Sequence, residues 1–188
     1  NQLKHDGVAG KVYATGAVNL KDKLGWELDA SLVRFKPQYF VSSVKGEVSG
    51  HVKTQGVWSE QLKRIDIRQL NAAGFINNKP IRGRGNLTLL LDSNQKGFLP
   101  QQFEANDLYF SYAQNQLQAT GNAQSLKIKL NAPALYELYP GLKGRAYGSL
   151  NVQSQPRLKA IANIAVDNFA FKDVASVRSL RIQGELPT

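Results

Sequence analysis

Apolar and polar residues alternate along most of this chain. Residues 26–32, for example, read Trp-Glu-Leu-Asp-Ala-Ser-Leu, with every second residue apolar or small. Successive side chains of a β-strand point to opposite sides, so this period of two predicts strands with one apolar and one polar face. The same alternation occurs in residues 12–20, 44–52, 81–91, 117–123, 126–130, 146–152, 158–166 and 180–186. We therefore expect roughly a dozen antiparallel strands that share one apolar surface.

Turn-forming residues separate these segments. They occur at residues 21–23, 77–80, 92–97, 114–115 and 153–156. Asn, Asp, Gly and Pro in such short stretches favour tight connections, which predict hairpins and meanders. The chain has 188 residues, of which 42% are hydrophobic, enough for one large all-β domain or two small ones. We predict a single continuous unit over residues 1–188, with a weak subdivision near 131–145.

Several glycines lie inside the predicted strands, at apolar positions of the alternation. They include Gly46, Gly50, Gly83, Gly85 and Gly148. An interior glycine normally weakens a strand. Their recurrence therefore indicates either bulges in a strongly coiled sheet or a close approach of another group to the backbone.

One segment departs from the period of two. In residues 131–141, two prolines bracket a stretch that is compatible with a short helix. Leu135, Leu138 and Tyr139 have the spacing that would place them against an apolar surface. We expect at most one short helix, near residues 133–139, that caps or plugs the apolar surface.

The chain is basic, with 24 Lys and Arg against 14 Asp and Glu and a formal net charge of +10. Such a charge is compatible with nucleic acid, with an anionic membrane surface or with simple solubility. Aromatic residues such as Phe110, Tyr112 and Phe169 lie in predicted strands, as in oligonucleotide-binding sheets. The basic residues, however, alternate with aliphatic ones on nearly every strand. This predicts a cationic outside around an apolar inside, and we expect no nucleic-acid partner.

The sequence holds no grouping typical of an active site or a metal centre. Neither His5 nor His51 has a His, Cys or carboxylate at ligand spacing, and the chain has no cysteine. Residues 83–85 lack the third glycine of a dinucleotide fingerprint, and no nucleophile elbow or Walker loop is present. The carboxylates are scattered, without a close pair suited to acid–base catalysis. We predict that the protein is not an enzyme and binds neither a metal nor a cofactor.

The sequence also has the character of an excised piece. It contains no methionine, and residues 1–7 lack the apolar run of a signal peptide. No stretch approaches the roughly 18 apolar residues that a membrane-spanning helix needs. We expect any signal or anchor of the parent protein to lie outside this sequence.

The C-terminal third carries the motifs of a known family. Residues 126–135 read Leu-Lys-Ile-Lys-Leu-Asn-Ala-Pro-Ala-Leu, residues 138–144 read Leu-Tyr-Pro-Gly-Leu-Lys-Gly, and residues 148–152 have the pattern Gly-x-Leu-x-Val. This passage resembles the NAP-x-L, LPGL-x-G and G-x-L-x-V motifs of the TamB family, which is part of the AsmA-like lipid-bridge group. Residues 155–160, 168–171 and 180–186 resemble the next repeat of that family.

The resemblance implies an all-β fold in which a long, mostly antiparallel sheet curls into a groove, or β-taco, with an apolar interior. It implies a periplasmic protein whose parent is anchored in the inner membrane and engages a TamA-like outer-membrane barrel of the Omp85 type. The implied role is non-enzymatic, with the groove carrying phospholipid acyl chains between the inner and outer membranes of a Gram-negative envelope. This role would support outer-membrane biogenesis, and the chain would be a middle section of the groove.

The residues that we expect to line the groove share the apolar face of the predicted strands. They are Val18, Leu20, Trp26, Leu28, Val48, Val52, Ile65, Ile67, Leu87, Leu89, Phe103, Phe110, Ile128, Leu130, Leu150, Val152, Ile164, Val166, Leu180 and Ile182. The same alternation is found in the closed cores of small barrels and sandwiches, where such residues only pack against one another.

Two further interpretations of the alternation are open. A chaperone or scaffold would bind nascent outer-membrane β-strands along the edges of its sheet. An outer-membrane barrel would share the period of two but would turn its apolar side outward.

Overall fold

Twelve β-strands account for most of the chain. The computed structural model describes residues 2–7, 10–39, 41–92, 102–153 and 156–186, with the backbone alone for residues 2–7, Asp92 and Leu186. The strands are β1 (Gln2–Gly7), β2 (Gly10–Asn19), β3 (Leu24–Phe35), β4 (Gly46–Trp58), β5 (Leu62–Ile76), β6 (Lys79–Asp92), β7 (Gln102–Tyr112), β8 (Asn115–Asn122), β9 (Ser125–Ala132), β10 (Leu142–Gln153), β11 (Lys159–Phe171) and β12 (Ala175–Leu186).

The strands form one sheet whose spatial order is the order along the chain. Each strand pairs antiparallel with the strand before it and the strand after it in sequence. In the described residues β1 and β12 are the two edges, and the sheet does not close into a barrel. Since neighbouring strands lie about 4.8 Å apart, the sheet measures about 50 Å from edge to edge along its surface. The predicted all-β, curled antiparallel sheet is confirmed.

Four bulges interrupt the regular pairing. Arg34, Gln69, Asp107 and Asn168 take left-handed backbone angles, with φ between 47° and 52°. At Arg34 and Asn168 the register with one neighbouring strand shifts by one residue, and at Gln69 and Asp107 the registers with both neighbouring strands shift. An extra residue on one strand bends that strand and increases its twist. The bulges therefore contribute to the coiling of the sheet.

Two strand glycines are required by the backbone. Gly148 has a φ of 144°, and a Cβ atom there would lie 2.0 Å from the carbonyl oxygen of Asn163 on β11. Gly85 has a φ of 116° and faces the bulge at Asp107, whose carbonyl oxygen would lie 2.6 Å from an added Cβ atom. Both positions thus allow a neighbouring strand to approach closely, as the recurrence of strand glycines indicated.

Short 3-10 turns occur in two connections. One comprises Leu135–Glu137, between β9 and β10, within the region where we predicted at most one short helix. The other comprises Pro37–Tyr39, between β3 and β4. Sequence analysis did not anticipate this second turn, because three residues are too few to show a helical period. Among the described residues, no helix has the length and hydrophobicity needed to cross a membrane.

The connections between strands form two rows, one along each end of the strands. The first rim consists of residues 36–39, 41–45, 77–78, 113–114, 133–141 and 172–174, and the second rim of residues 20–23, 59–61, 123–124 and 156–158. The turn predicted at 21–23 coincides with a connection. Those predicted at 77–80 and 114–115 do so only over residues 77–78 and 114, because Lys79 and Pro80 belong to β6 and Asn115 to β8. Residues 93–97 and 154–155, which we also predicted to form turns, lie outside the described residues.

Candidate functional site

The pairing register places the apolar side chains of the strands on one side of the sheet. Directly paired residues of antiparallel strands share a side. One row of paired residues runs through Gly16, Leu28, Thr54, Ile67, Leu87, Ala105, Gly121 and Leu126. Another runs through Gly50, Ala72, Gly83, Phe110, Leu117, Leu130, Gly148, Ile164 and Ile182. We call the side that carries these rows the apolar face, and the opposite side the polar face.

The predicted groove-lining residues lie in strands on the apolar face, with one exception. Leu20 follows the end of β2 on the second rim and is 75% exposed, so the structure does not bring it together with the others. The prediction also omitted the apolar residues that follow a bulge, namely Phe35, Leu70, Leu108 and Phe169. Each is displaced by one residue from the alternation, which is why the period of two did not reveal it.

A sequence signal exists for only some of these bulges. Asp107 and Asn168 are residue types that enter left-handed backbone conformations more readily than most, so a bulge after them can be anticipated. Arg34 gives no such signal, and Phe35 after it could not have been assigned to the apolar face from the sequence.

The apolar face is an open surface and not the inside of a closed core. Val18 is 51% exposed, Phe110 47% and Leu180 45%. Most other apolar side chains of this face are half-buried, and Phe103 is among the few large ones that are buried. In a closed barrel or sandwich, such side chains would be removed from solvent. The face therefore offers apolar contact area to a molecule that lies along it.

One part of the apolar face is covered by the chain itself. Residues 133–141, which we call the crossing segment, leave β9 at the first rim and return to β10. Leu135 packs against Ala132 and Ala146, which lie on the apolar face, and all three are at most 9% exposed. The segment thus caps the apolar surface, as predicted. Only Leu135 of the three residues with helical spacing is buried, because a single 3-10 turn does not keep the spacing of an α-helix.

Polar contacts attach the crossing segment to β6, to β8 and to the turn between β7 and β8. The side-chain amide of Asn115, at the start of β8, donates to the carbonyl oxygen of Ala134 at 2.9 Å, and its oxygen accepts from the Ala134 N–H at 3.1 Å. The Glu137 carboxylate accepts from the backbone N–H of Gln114 at 2.9 Å and from its side-chain amide at 3.1 Å. The Lys79 ammonium, at the start of β6, donates to the Glu137 carbonyl at 3.3 Å. The segment therefore spans the ends of the strands from β9 to β6, a width of about 14 Å.

The polar face holds a buried carboxylate. Asp66 is 1% exposed and accepts hydrogen bonds from Thr88 at 2.7 Å and from Arg64 at 3.0 Å, with Gln55 further away at 3.4 Å. Desolvation opposes ionisation of this carboxyl, but the donors and the Arg64 charge outweigh it, and the pKa of Asp66 is lowered. These hydrogen bonds connect β4, β5 and β6 on the side of the sheet opposite the apolar face.

A second polar cluster joins β10, β11 and β12. The Tyr147 hydroxyl donates to the Asp167 carboxylate at 2.7 Å, and Arg145 lies 3.5 Å from the same carboxylate. The hydrogen bond between them lowers the pKa of Asp167 and raises the pKa of Tyr147. The Asp167 side chain is half-buried between the exposed side chains of Arg145 and Tyr147.

The described residues contain no group of three or more His, Cys, Asp or Glu side chains that could hold a metal ion. His51 contacts the Asp29 carboxylate across β3 and β4, and Lys53 lies 3.9 Å from the same carboxylate. Both are contacts between side chains of two neighbouring strands, β3 and β4, on the polar face. The chemistry of the described surface is therefore dominated by its apolar face.

Comparison with known proteins identifies the family of the chain. The whole chain, residues 1–188, matches the family described as TamB, N-terminal domain. The Translocation and assembly module subunit TamB of Haemophilus influenzae is 28% identical over 158 residues, which is 82% of this chain and 12% of that protein. No solved structure matches the chain. The family description names an N-terminal domain, whereas the motifs alone suggested a middle section of the groove. Since the match extends over the entire sequence, the chain belongs to the TamB family.

Proposed function

We propose that the apolar face binds the acyl chains of phospholipids, and that the chain is a section of a non-enzymatic hydrophobic groove. The observation that carries this proposal is the open apolar face, which continues from strand to strand across the sheet with side chains such as Phe110 and Leu180 about half exposed. An apolar surface of this extent is unusual for a protein that faces water only.

The physical gain is that of removing hydrocarbon from water. Each buried CH₂ group is worth about 0.8 kcal/mol, so a fully buried chain of 16 carbons gains on the order of 12 kcal/mol. A face that covers the chain from one side provides roughly half of this value. Because similar apolar side chains recur in every row, an acyl chain meets a similar surface from one strand to the next. Transport along such a face requires no catalytic residue.

Family membership supports a place for this face in a translocation and assembly module subunit. We propose that the parent protein lies in the periplasm, is anchored in the inner membrane and engages a TamA-like outer-membrane barrel of the Omp85 type. Its groove would carry phospholipid from the inner to the outer membrane or in the opposite direction, in support of outer-membrane biogenesis. The present chain spans 12% of the length of its curated relative, and the anchor and the barrel contact are part of the proposal for the whole parent protein.

Photocrosslinking tests the lipid-binding role directly. A photoreactive residue is placed at Ile128 on the apolar face and, as a matched control, at Lys127, the exposed neighbour on the polar face of the same strand. Acyl chains are expected to crosslink at position 128 and not at 127. In parallel, native mass spectrometry of the Ile128→Asp and Lys127→Asp variants should show loss of co-purifying phospholipid in the first variant only. Equal crosslinking at the two positions, or no lipid at either, would refute the proposal.

The sheet edges favour a second candidate function. In the described residues the outer sides of β1 and β12 have no neighbouring strand, which leaves their backbone groups free to pair with another chain. A chaperone or scaffold that binds nascent outer-membrane strands would use these edges. Photoreactive residues in β12 that capture barrel proteins, while position 128 captures no lipid, would favour this candidate.

A further inference from the structure

We propose that the crossing segment is a displaceable cover, and that Leu135 occupies a place on the apolar face that a lipid acyl chain takes when the segment lifts. This inference rests on the proposed lipid-binding function. It adds a regulated entry point at the first rim, between β8 and β10.

The covered and uncovered parts of the apolar face are continuous. Leu117 on β8 is 40% exposed and pairs directly with Leu130 on β9, which packs against the cluster around Leu135. An acyl chain lying on Leu117 therefore meets the Leu135 side chain as the next apolar group towards β10. Leu135 is a branched hydrocarbon in contact with Ala132 and Ala146, and an acyl chain can make the same kind of contact with these small side chains.

The attachment of the segment differs from that of the strands. A strand is held by a ladder of backbone hydrogen bonds on both sides, whereas the crossing segment is attached mainly through the side chains of Asn115, Glu137 and Lys79. One backbone bond, from the Lys172 N–H to the Gly141 carbonyl at 2.8 Å, fixes only the end of the segment that enters β10. Its backbone bonds at Glu137 and Leu138 close its own 3-10 turn. The segment can therefore move away from the sheet without breaking the pairing of β8, β9 or β10.

The outer side of the segment is also apolar. Tyr136 is 59% exposed, Leu138 45% and Tyr139 56%. None of the three belongs to the cluster around Leu135, and the Tyr139 ring lies 6.1 Å from the ring of Phe171 at the end of β11. A lifted segment would hold Leu135 above the apolar face, so an acyl chain beneath it would be contacted by the sheet on one side and by Leu135 on the other. The cover would then retain the chain as well as admit it.

Glu137 is the contact that can be changed with the least effect on the sheet. Its carboxylate accepts its two shorter hydrogen bonds from the turn residue Gln114, and it has only a longer contact of 3.5 Å with the side-chain amide of Asn115 at the start of β8. The full chain is prepared with the substitutions Gln114→Cys and Glu137→Cys, which introduce two thiols into a sequence without cysteine. A short bismaleimide then joins the two positions and holds the segment closed. The same protein, treated with a monofunctional maleimide, is the matched open control.

The measurement is the affinity for a fluorescently labelled long-chain fatty acid, together with hydrogen exchange in residues 133–141. The crosslinked protein is expected to bind the probe at least fivefold more weakly than the control. Residues 133–141 are expected to exchange faster than β10 in the control and to be slowed by the crosslink. A Glu104→Ala variant, which removes an exposed carboxylate from the polar face of β7, should bind like the wild-type protein.

The outcomes separate this inference from the proposed function. Equal probe binding with and without the crosslink would overturn the cover while leaving the lipid-binding face in place. Exchange in residues 133–141 as slow as in β10 would also overturn it, because the segment would then be a fixed part of the sheet. Absence of probe binding in every form would overturn the proposed function, and the cover with it.

Discussion

Replacing Asn115 by alanine is expected to detach the crossing segment and to lower the free energy of unfolding by about 2–4 kcal/mol. Asn115 is 5% exposed, and its side-chain amide satisfies both the carbonyl oxygen and the N–H of Ala134, which is 3% exposed. Alanine can make neither hydrogen bond. Each buried backbone group left without a partner costs about 1–3 kcal/mol, and water entering at the rim offsets part of that cost.

The assay is equilibrium unfolding in urea, followed by the fluorescence of Trp26 and Trp58. Asn131→Ala is the matched control, because Asn131 is exposed and lies on the polar face of β9. It should change the free energy of unfolding by no more than about 0.5 kcal/mol. If Asn115→Ala were as mild as this control, the buried amide would not hold the segment and the reasoning would be refuted.

Three further predictions concern single side chains. Replacing Asp66 by asparagine should lower the free energy of unfolding by about 1–2 kcal/mol at neutral pH. Because the pKa of Asp66 in the folded protein is lowered from 3.8, this difference should persist above about pH 4 and shrink as the pH falls through the lowered pKa. The measurement is urea unfolding at a series of pH values. A difference that stays constant with pH would show that the assignment is wrong. Gly148→Ala should lower the free energy of unfolding by about 2–4 kcal/mol, because the backbone there is left-handed and the new Cβ would lie 2.0 Å from the Asn163 carbonyl oxygen. Gly83→Ala, the control, should change it by less than about 1 kcal/mol in the same assay. Similar effects for the two variants would contradict the backbone argument. Asp167→Asn should return the raised pKa of the Tyr147 phenol towards 10.0 in an ultraviolet titration, and an unchanged titration would show that the Asp167 carboxylate is not the cause.

The strands were predictable because their signal is local. A half-buried strand needs apolar residues at every second position, and residues 26–32 or 81–91 show this regardless of what they pair with. Turn residues such as those at 77–78 end one strand and begin the next over a short distance, so the antiparallel meander followed from the sequence. The continuity of one apolar face across the sheet followed from the same two features.

The parts that could not be predicted depend on distant contacts. Arg34 and Gln69 adopt left-handed backbone angles that their side chains do not favour, because the pairing with neighbouring strands leaves an extra residue there. The position of Asn115 is equally non-local. A polar residue at an apolar position of β8 reveals its role only when Ala134, which lies 19 residues further along the chain, is seen to bind it.

The order of strands in the sheet has a consequence for how such a protein is made and extended. Since every strand pairs only with its neighbours in the chain, no strand has to wait for a distant segment before its backbone is satisfied. Folding can begin at any hairpin and spread outwards, and the stability of the sheet is close to a sum over adjacent pairs, as in repeat proteins. A chain that emerges into its compartment from one end can therefore fold as it emerges. Insertion or loss of a hairpin changes the length of the sheet by about 10 Å and leaves the pairing of the other strands unchanged.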